Sequence, residues 1–225
     1  GLSAAGQTSD GSGGLVQIDA VGHVEIAGGV LSGGVITQTF DDDGQLLAEE
    51  VTWSAEDSTI DLTSGGQLWL GAMTTASDGE TVEIGGSFRA NQLIRLEGGS
   101  GRDGDGMGVR MPGGARVTTA NADGVIEIRS ADDADLLGLL VAGGEIVDHF
   151  DARGQSVGRE RAYGDGASQI KIEATEGQIR LGRDLYAGSL IEVRGGLGAV
   201  DPTRDYADQG IVVYGSSRLR TGLAD

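Results

Sequence analysis

The sequence predicts an all-β fold built from tandem repeats, and three observations support this prediction. First, 42 of the 225 residues are glycine and only 2 are proline, without the three-residue glycine period of collagen, which indicates many tight turns. Second, short segments of alternating apolar and polar residues recur and mostly end in glycine, as expected for strands with one buried face. Third, a segment of about one hundred residues occurs twice.

The alternating segments predict short strands throughout the chain. Helix signals are nearly absent, because the one candidate, DADLLGLLVAGG from Asp133, contains Gly138, which costs a helix about 1 kcal/mol. We expect this segment to form a fully buried pair of strands instead. The predicted strands lie at 24–26, 60–62, 68–70, 82–84, 94–96, 125–128, 170–172, 179–181, 191–193 and 211–213.

The repeat is visible where two long segments align with their copies. SGGVITQTFDDDGQLL from Ser32 matches AGGEIVDHFDARGQSV from Ala142, and GVRMPGGARVTTANAD from Gly108 matches GIVVYGSSRLRTGLAD from Gly210. The alignment predicts three parts of the chain. Residues 1–13 are a linker or the end of a preceding repeat, and the two units are 14–123 and 124–225.

The two units differ in length at one place, and this difference helps to choose the architecture. Between Gly71 and Leu93 the first unit carries 14 residues more than the second, including ETVEIGGS from Glu80. In an Ig-like sandwich, loss of a strand-sized piece disrupts pairing across the domain. In a solenoid each turn contacts only its neighbours, so a bulge on one side is tolerated. The sequence therefore favours one continuous β-solenoid over the alternative, tandem Ig-like β-sandwiches.

One segment carries a resemblance to a known family. GQIRLGRDLYAGSLIEVRGG, at 177–196, places two predicted strands and their glycine corners in about 20 residues, the length of one solenoid coil. Its pattern resembles the haemagglutinin-type repeats of large bacterial exoproteins such as filamentous haemagglutinins and giant adhesins. The resemblance implies a right-handed parallel β-helix, a location outside the cell or at the bacterial surface, and a scaffolding role without catalytic residues.

Composition argues against several partners. Acidic residues outnumber basic ones 35 to 16, giving a formal net charge of −19, which repels nucleic acid and anionic lipid. No apolar run approaches the roughly 18 residues that span a bilayer, so we predict no membrane insertion. The first residues lack the parts of a signal peptide, which predicts a piece of a longer chain. The absence of cysteine fits exported and cytosolic proteins alike.

Calcium is the one cofactor for which the sequence offers weak candidate ligands. Asp41, Asp43 and Glu50 fall near EF-hand positions three, five and twelve. However, position one is not a carboxylate, and the second unit places an arginine at one ligand position. Asp103 and Asp105 lie in the loop GRDGDG, outside any nonapeptide repeat of the calcium-binding β-roll type. A solvated β-turn is the alternative at the first loop.

Sequence motifs of catalysis are absent, so we predict that the protein is not an enzyme. His23 and His149 are not equivalent between the units, and no G-x-S-x-G or H-E-x-x-H motif occurs. Asp132, Asp133 and Asp135 form a local cluster that we interpret as a charged turn. Paired carboxylates of a polysaccharide-cleaving β-helix remain an alternative, because such pairs meet only in the fold.

Aromatic residues are few, and four of them occupy shared positions of the repeat. Phe40 corresponds to Phe150, and Trp53 corresponds to Tyr163. We predict that these side chains are structural anchors at corners of the coil, with a sugar-stacking platform as the alternative.

The sequence thus predicts a structural and adhesive repeat module of a large extracellular bacterial surface or filament-forming protein. Its expected partners are neighbouring repeats or identical subunits joined end to end, together with a surface glycan or host receptor. Asp61 of the first unit becomes Lys171 in the second, which argues against a duplicated active site. The alternative is a carbohydrate-binding or polysaccharide-cleaving β-helix, which predicts a carboxylate cluster on one solvent-facing sheet.

Overall fold

The computed structural model describes residues 2–4, 13–40, 42, 44, 46–53, 57–76, 78–101, 106–150, 156–163, 166–196, 210–215 and 217–222. Throughout these residues the chain is all-β, with 25 strands and no helix. The described part of the chain accordingly contains no helix that could cross a membrane. Three long parallel sheets contain most of the strands.

We call the three parallel sheets A, B and C, and neighbouring strands in each list below pair in parallel. Sheet A contains β1 (Leu2–Ala4), β4 (Gly29–Ser32), β11 (Ser87–Ala90), β14 (Arg116–Thr119), β17 (Leu139–Ala142), β22 (Leu185–Ala187) and β25 (Leu219–Thr221). Sheet B contains β2 (Leu15–Ala20), β7 (Thr59–Ser64), β12 (Leu93–Gly98), β15 (Val125–Ser130), β20 (Gln169–Ala174) and β23 (Leu190–Arg194). Sheet C contains β3 (Val24–Glu25), β8 (Leu68–Trp69), β13 (Met107–Met111), β16 (Asp133–Leu136), β21 (Ile179–Leu181) and β24 (Ile211–Val213).

After β1 the chain visits sheets B, C and A in turn, and it completes this round six times. Each round adds one strand beside the strand of the previous round; in the shortest round Gln169 pairs with Leu190, 21 residues later. The all-β prediction is confirmed, and parallel pairing does not fit the antiparallel sheets of the Ig-like alternative. Residues 177–196 hold three strands, one per sheet, rather than the two predicted.

Three antiparallel hairpins interrupt the rounds. They are β5–β6 (Gly34–Phe40 and Leu46–Trp53), β9–β10 (Gly71–Thr75 and Thr81–Gly85) and β18–β19 (Gly144–Phe150 and Ser156–Tyr163). The first and third follow equivalent sheet-A strands, each through a glycine with φ of 77° at Gly33 and Gly143, a backbone conformation that favours glycine. The middle hairpin contains the extra segment of the first unit. The predicted strand at 82–84 is therefore confirmed, but it lies outside the parallel sheets.

The core lies between the three sheets, where the inward-facing residues of each strand meet. Parallel pairing in register places Ile94 directly between Ile60 and Ile126, and all three are fully buried. The main hydrophobic cluster draws on all three sheets in this way. Each buried aliphatic side chain stabilises the fold by roughly 1.5–3 kcal/mol, and no single round can bury its own inner face.

The segment from Asp133 forms two strands, as predicted, but they lie in different sheets and are not both fully buried. In β16, Ala134 and Leu136 face the core, while Asp133 and Asp135 alternate with them and face outwards. In β17 the outward Leu139 and Val141 are also buried, in a small second cluster with Tyr186. The prediction of a charged turn at Asp133 and Asp135 is wrong, because both belong to a strand.

The hairpins extend outside the parallel sheets rather than plugging their corners. Phe40, at the end of β5, is 52% exposed, so its predicted role as an anchor is wrong. Trp53 is half-buried, and a Cβ added at Gly34 would lie 3.1 Å from its ring. The side chains of Phe150 and Tyr163 lie outside the described part of the structure.

An ion pair joins the β5–β6 hairpin to the outer face of sheet A. Nη2 of Arg89, on β11, lies 2.8 Å from Oε1 of Glu49, on β6. Burial alone would raise the pKa of Glu49, but the hydrogen bond from Gln38 and the charge of Arg89 outweigh it, so this pKa is lowered. The hairpin is thus held against the sheet by a carboxylate that stays charged.

Candidate functional site

The structure does not bring the calcium candidates together in its described residues. Asp41, Asp43, Asp103 and Asp105 lie outside those residues, and Glu50 is exposed on β6. Among the described side chains no group of three His, Asp or Glu could hold a metal ion. Calcium binding at the two loops stays a prediction.

A polar cluster lies on the outer face of sheet C. Register places Trp69 beside Arg110, Arg110 beside Asp135, and Asp135 beside Arg180, on four successive strands. The residues that flank this row, such as Leu68 and Val109, are buried in the core, so the row itself faces outwards. We call the following residues the sheet-C cluster: Trp69, Glu83, Arg110, Asp133, Asp135 and Arg180.

The β9–β10 hairpin covers one half of the sheet-C cluster. Oε1 of Glu83, on β10, lies 2.8 Å from Nη2 of Arg110. The guanidinium carbon of Arg110 lies 4.9 Å from the centre of the Trp69 ring, within the range of a cation–π contact. Trp69 is only 9% exposed as a result of this packing. The extra segment of the first unit therefore shields one side of a charged row.

The other half of the cluster is centred on Arg180. Its Nη2 lies 3.3 Å from Oδ2 of Asp133, and its Nε lies 3.9 Å from Oδ1 of Asp135. Arg180 and Asp135 therefore form an ion pair, but their 3.9 Å separation is too long for a hydrogen bond. Among the described residues, the buried side-chain atoms without a hydrogen-bond partner are Nε1 of Trp69, Oδ1 of Asp135 and Nε of Arg180. All three atoms belong to this row, which therefore holds one acceptor and two donors that are buried without a hydrogen-bond partner.

Burial raises the pKa of Asp135 above its ordinary value. The charges of Arg180 and Arg110 lower this pKa, while those of Glu83 and Asp133 add to the increase. The net result is a carboxyl group that binds its proton more tightly in the folded protein than in the unfolded chain.

We therefore expect Asp135→Asn to stabilise the protein more at pH 7 than at pH 3. The cost of ionising the buried carboxyl group is absent below the unfolded-state pKa and is complete above the raised folded-state pKa. Asparagine cannot ionise, so it removes this cost only at the higher pH. Urea unfolding at both pH values measures the difference. Asp132→Asn, in the turn before β16, controls for the loss of one negative charge, and an equal effect of Asp135→Asn at both pH values would contradict the expectation.

Sequence reasoning found only part of this cluster. Asp133 and Asp135 were identified as neighbours along the chain, and the structure adds Arg180 between them. Asp132 instead accepts a hydrogen bond from the backbone N–H of Gly101, at 3.1 Å. Trp69, Glu83, Arg110 and Arg180 were missed, because they come from four other strands whose register the sequence does not show. The only signal was the extra segment ETVEIGGS, which contributes Glu83.

A second charged surface runs along the outer face of sheet B. Five residues on successive strands stand side by side with alternating sign: Asp61, Arg95, Glu127, Lys171 and Glu192. Nη1 of Arg95 lies 3.3 Å from Oδ2 of Asp61, and its Nε lies 3.4 Å from Oε2 of Glu127. Opposite charges on neighbouring strands stabilise a sheet, whereas like charges destabilise it.

The two units carry these charges with the signs exchanged. Asp61 and Arg95 of the first unit correspond to Lys171 and Glu192 of the second, and each pair belongs to adjacent strands. The change from Asp61 to Lys171 is therefore matched by an opposite change on the next strand. A shallow groove of about 130 Å³ on this face is lined by three carboxylates and three cations, so its net charge does not favour a charged ligand.

Arg95→Glu is expected to lower the free energy of unfolding by about 1–2 kcal/mol. The variant removes both ion pairs and places a carboxylate between Asp61 and Glu127. Adding Asp61→Lys should recover about half of the loss, because it restores one opposite pair in the order seen in the second unit. Urea unfolding at low salt measures both effects. If the double variant is no more stable than Arg95→Glu, the alternating charges on sheet B do not stabilise the fold.

No family model, curated protein or solved structure matches the chain. The resemblance of residues 177–196 to haemagglutinin-type repeats therefore stays a prediction from the sequence.

Proposed function

We propose that the chain is a structural and adhesive repeat module of a large extracellular bacterial surface or filament-forming protein. In this proposal the three parallel sheets close into a right-handed β-helix, and each round of the chain is one coil. The constant order of sheets B, C and A over six rounds supports closure. Nearly all crossovers between parallel strands in proteins are right-handed, which supports a right-handed helix here.

The observation that carries the proposal is the exchange of charges between the units. Asp61 and Arg95 become Lys171 and Glu192, while the sheet and the register stay the same. This pattern preserves pairing between neighbouring strands and does not preserve any particular chemical group. Such a pattern is expected of a scaffold in which each coil must fit the next, and it is not expected of a duplicated active site.

The adhesive part of the proposal rests on the hairpins. The β5–β6 hairpin exposes Val35, Ile36 and Phe40, and the β9–β10 hairpin exposes Met73, Val82 and Ile84. Ile36 and Phe40 share one face of their hairpin, and Val82 and Ile84 share one face of theirs; exposed apolar residues that share a face mark surfaces for binding. In the proposal the exposed faces of these hairpins bind a surface glycan or host receptor, while the acidic surface disfavours nucleic acid.

Immunogold electron microscopy of intact source cells tests this function. Antibodies against the purified chain should label the outside of unpermeabilised cells, along stalks or filaments. Label that appears only after permeabilisation would overturn the surface location. In extracted material the labelled structures should be continuous rods, because neighbouring coils are about 4.8 Å apart along one axis. Separate globular domains joined by flexible linkers would contradict a continuous β-helix.

The sheet-C cluster favours a second candidate, a carbohydrate-binding β-helix. Its Trp69 Nε1, Asp135 Oδ1 and Arg180 Nε are buried without hydrogen-bond partners; in this candidate the row opens, and these two donors and one acceptor bind sugar hydroxyl groups. Affinity electrophoresis through gels that contain polysaccharide would test it. Arg180→Gln should abolish any retardation, whereas Arg183→Gln, at an exposed turn, should leave it unchanged. The same mixtures should be assayed for new reducing ends, which would indicate cleavage.

A further inference from the structure

At the end of the sheets formed by β23, β24 and β25, the described core residues are partly exposed. Here the inward-facing residues of the last round are partly exposed, although their counterparts one round earlier are fully buried. Ile211, Val213 and Leu219 are 41%, 47% and 44% exposed, whereas Ile179, Leu181 and Leu185 are 0% exposed. Open strand edges with apolar side chains are templates for the addition of further strands.

At the opposite end, the part of the chain that the structure describes has one strand more in sheet A than in sheets B and C, and that strand is β1. Leu2 of β1 stands beside Val30 of β4, as Val117 of β14 stands beside Leu140 of β17. In the repeat alignment Val117 corresponds to Leu219 of β25. Hence β1 and β25 occupy the same place in the repeat, and only one of them can lie beside a given β4.

We propose that the β23–β25 end of one chain binds the β2–β4 end of a second copy, and that β25 replaces β1 beside the second copy's β4. This proposal rests on the proposed structural function and specifies its partner and register. The second copy's β2 continues sheet B in the way that β15 follows β12 inside the chain. The exposed core residues at β24 and β25 then become buried between two rounds.

Charge complementarity supports this register. Inside the chain, Glu97 of β12 stands beside Arg129 of β15. In the repeat alignment Arg194 corresponds to Glu97, and Asp19 corresponds to Arg129. The proposed contact therefore places Arg194 beside Asp19, an opposite pair with the signs exchanged, as in the row of Asp61 and Arg95.

The hairpins point to the same arrangement. Inside the chain, β6 of the first hairpin packs against β18 of the third hairpin. In the proposed register, the β5–β6 hairpin of the second copy lies beside β19 of the first copy's β18–β19 hairpin. The exposed Val35 and Ile36 of β5 then receive a neighbour, which continues an interface already present within the chain.

Sedimentation velocity over a range of concentrations tests the association. The wild-type chain should form dimers and longer species, Arg194→Glu should weaken the association by about fivefold, and Arg194→Glu with Asp19→Arg should restore it. Arg183→Glu is the matched control and should behave as the wild type. Ser3→Pro with Ala4→Pro should strengthen association, because proline disrupts the pairing of β1 that β25 must replace. A monomer at every concentration would overturn the proposal.

Cysteine cross-linking tests the polarity, and the chain has no native cysteine. Gln17→Cys and Glu192→Cys variants, mixed and oxidised, should give the mixed dimer. Rapid Glu192–Glu192 or Gln17–Gln17 linkage would show contact between like ends and would overturn the register. If these experiments fail while the immunogold label remains on cell-surface rods, the copies do not stack in this way but the structural function stands. If the label is intracellular and the mixed dimer forms, the copies do stack in this way but the proposed surface function is wrong.

Discussion

Phe88→Ala is expected to lower the free energy of unfolding by about 3–5 kcal/mol. Phe88 is a fully buried side chain, and it lies on β11 between Val30 and Val117 of the neighbouring rounds. Its removal leaves a cavity that the flanking strands cannot fill, because their positions are fixed by pairing on both sides. Urea denaturation followed by circular dichroism measures the change.

Phe40→Ala is the matched control for this prediction. It removes the same atoms from a side chain that is 52% exposed on a hairpin, so we expect a change of about 0.5 kcal/mol or less. Equal losses for the two variants would show that Phe88 does not lie in a common core, and would contradict the inward-facing rows of the three sheets.

Gly98→Ala is the second substitution with a large expected effect. Gly98 ends β12, and a Cβ at this position would lie 2.0 Å from the backbone oxygen of Gly108. The obstacle is backbone rather than a flexible side chain, so either β12 or the start of β13 must move. Each strand also pairs with neighbours on both sides. We expect a loss of about 2–3 kcal/mol.

Gly29→Ala provides the comparison for Gly98→Ala. A Cβ at Gly29 would meet nothing within 4 Å, and alanine restricts the unfolded chain. Gly29→Ala should therefore leave the midpoint of thermal unfolding unchanged or slightly raised. A Gly98→Ala variant as stable as Gly29→Ala would contradict the close approach of the chain at the corner between sheets B and C.

Strand positions could be predicted from the sequence because the side-chain period of a strand is visible locally. Ile94 and Leu96 alternate with the charged Arg95 and Glu97, and this pattern alone identifies both the strand and its inner face. The partner of each strand is not visible in the same way. The segments at 82–84 and 94–96 look alike in sequence, yet one lies in a hairpin and the other in sheet B.

The sheet-C cluster shows why the site was only partly predictable. Asp133 and Asp135 flank Ala134, which is a strand pattern, but the apolar run that follows obscured it. Arg180 joins them because β21 adds beside β16, and Glu83 reaches Arg110 only because a hairpin folds over sheet C. These contacts depend on register and on the path of the hairpin, which no local pattern determines.

The most direct test of a continuous stack of rounds is a cross-link across the boundary between the two units. Arg95 and Glu127 stand beside each other on β12 and β15, and Cα atoms on paired strands are about 4.8 Å apart, within disulfide range. A chain with Arg95→Cys and Glu127→Cys should form an intramolecular disulfide on mild oxidation. A chain with Arg95→Cys and Lys171→Cys, whose residues are two strands apart, should not. A disulfide in the second chain but not in the first would contradict the continuous parallel sheet.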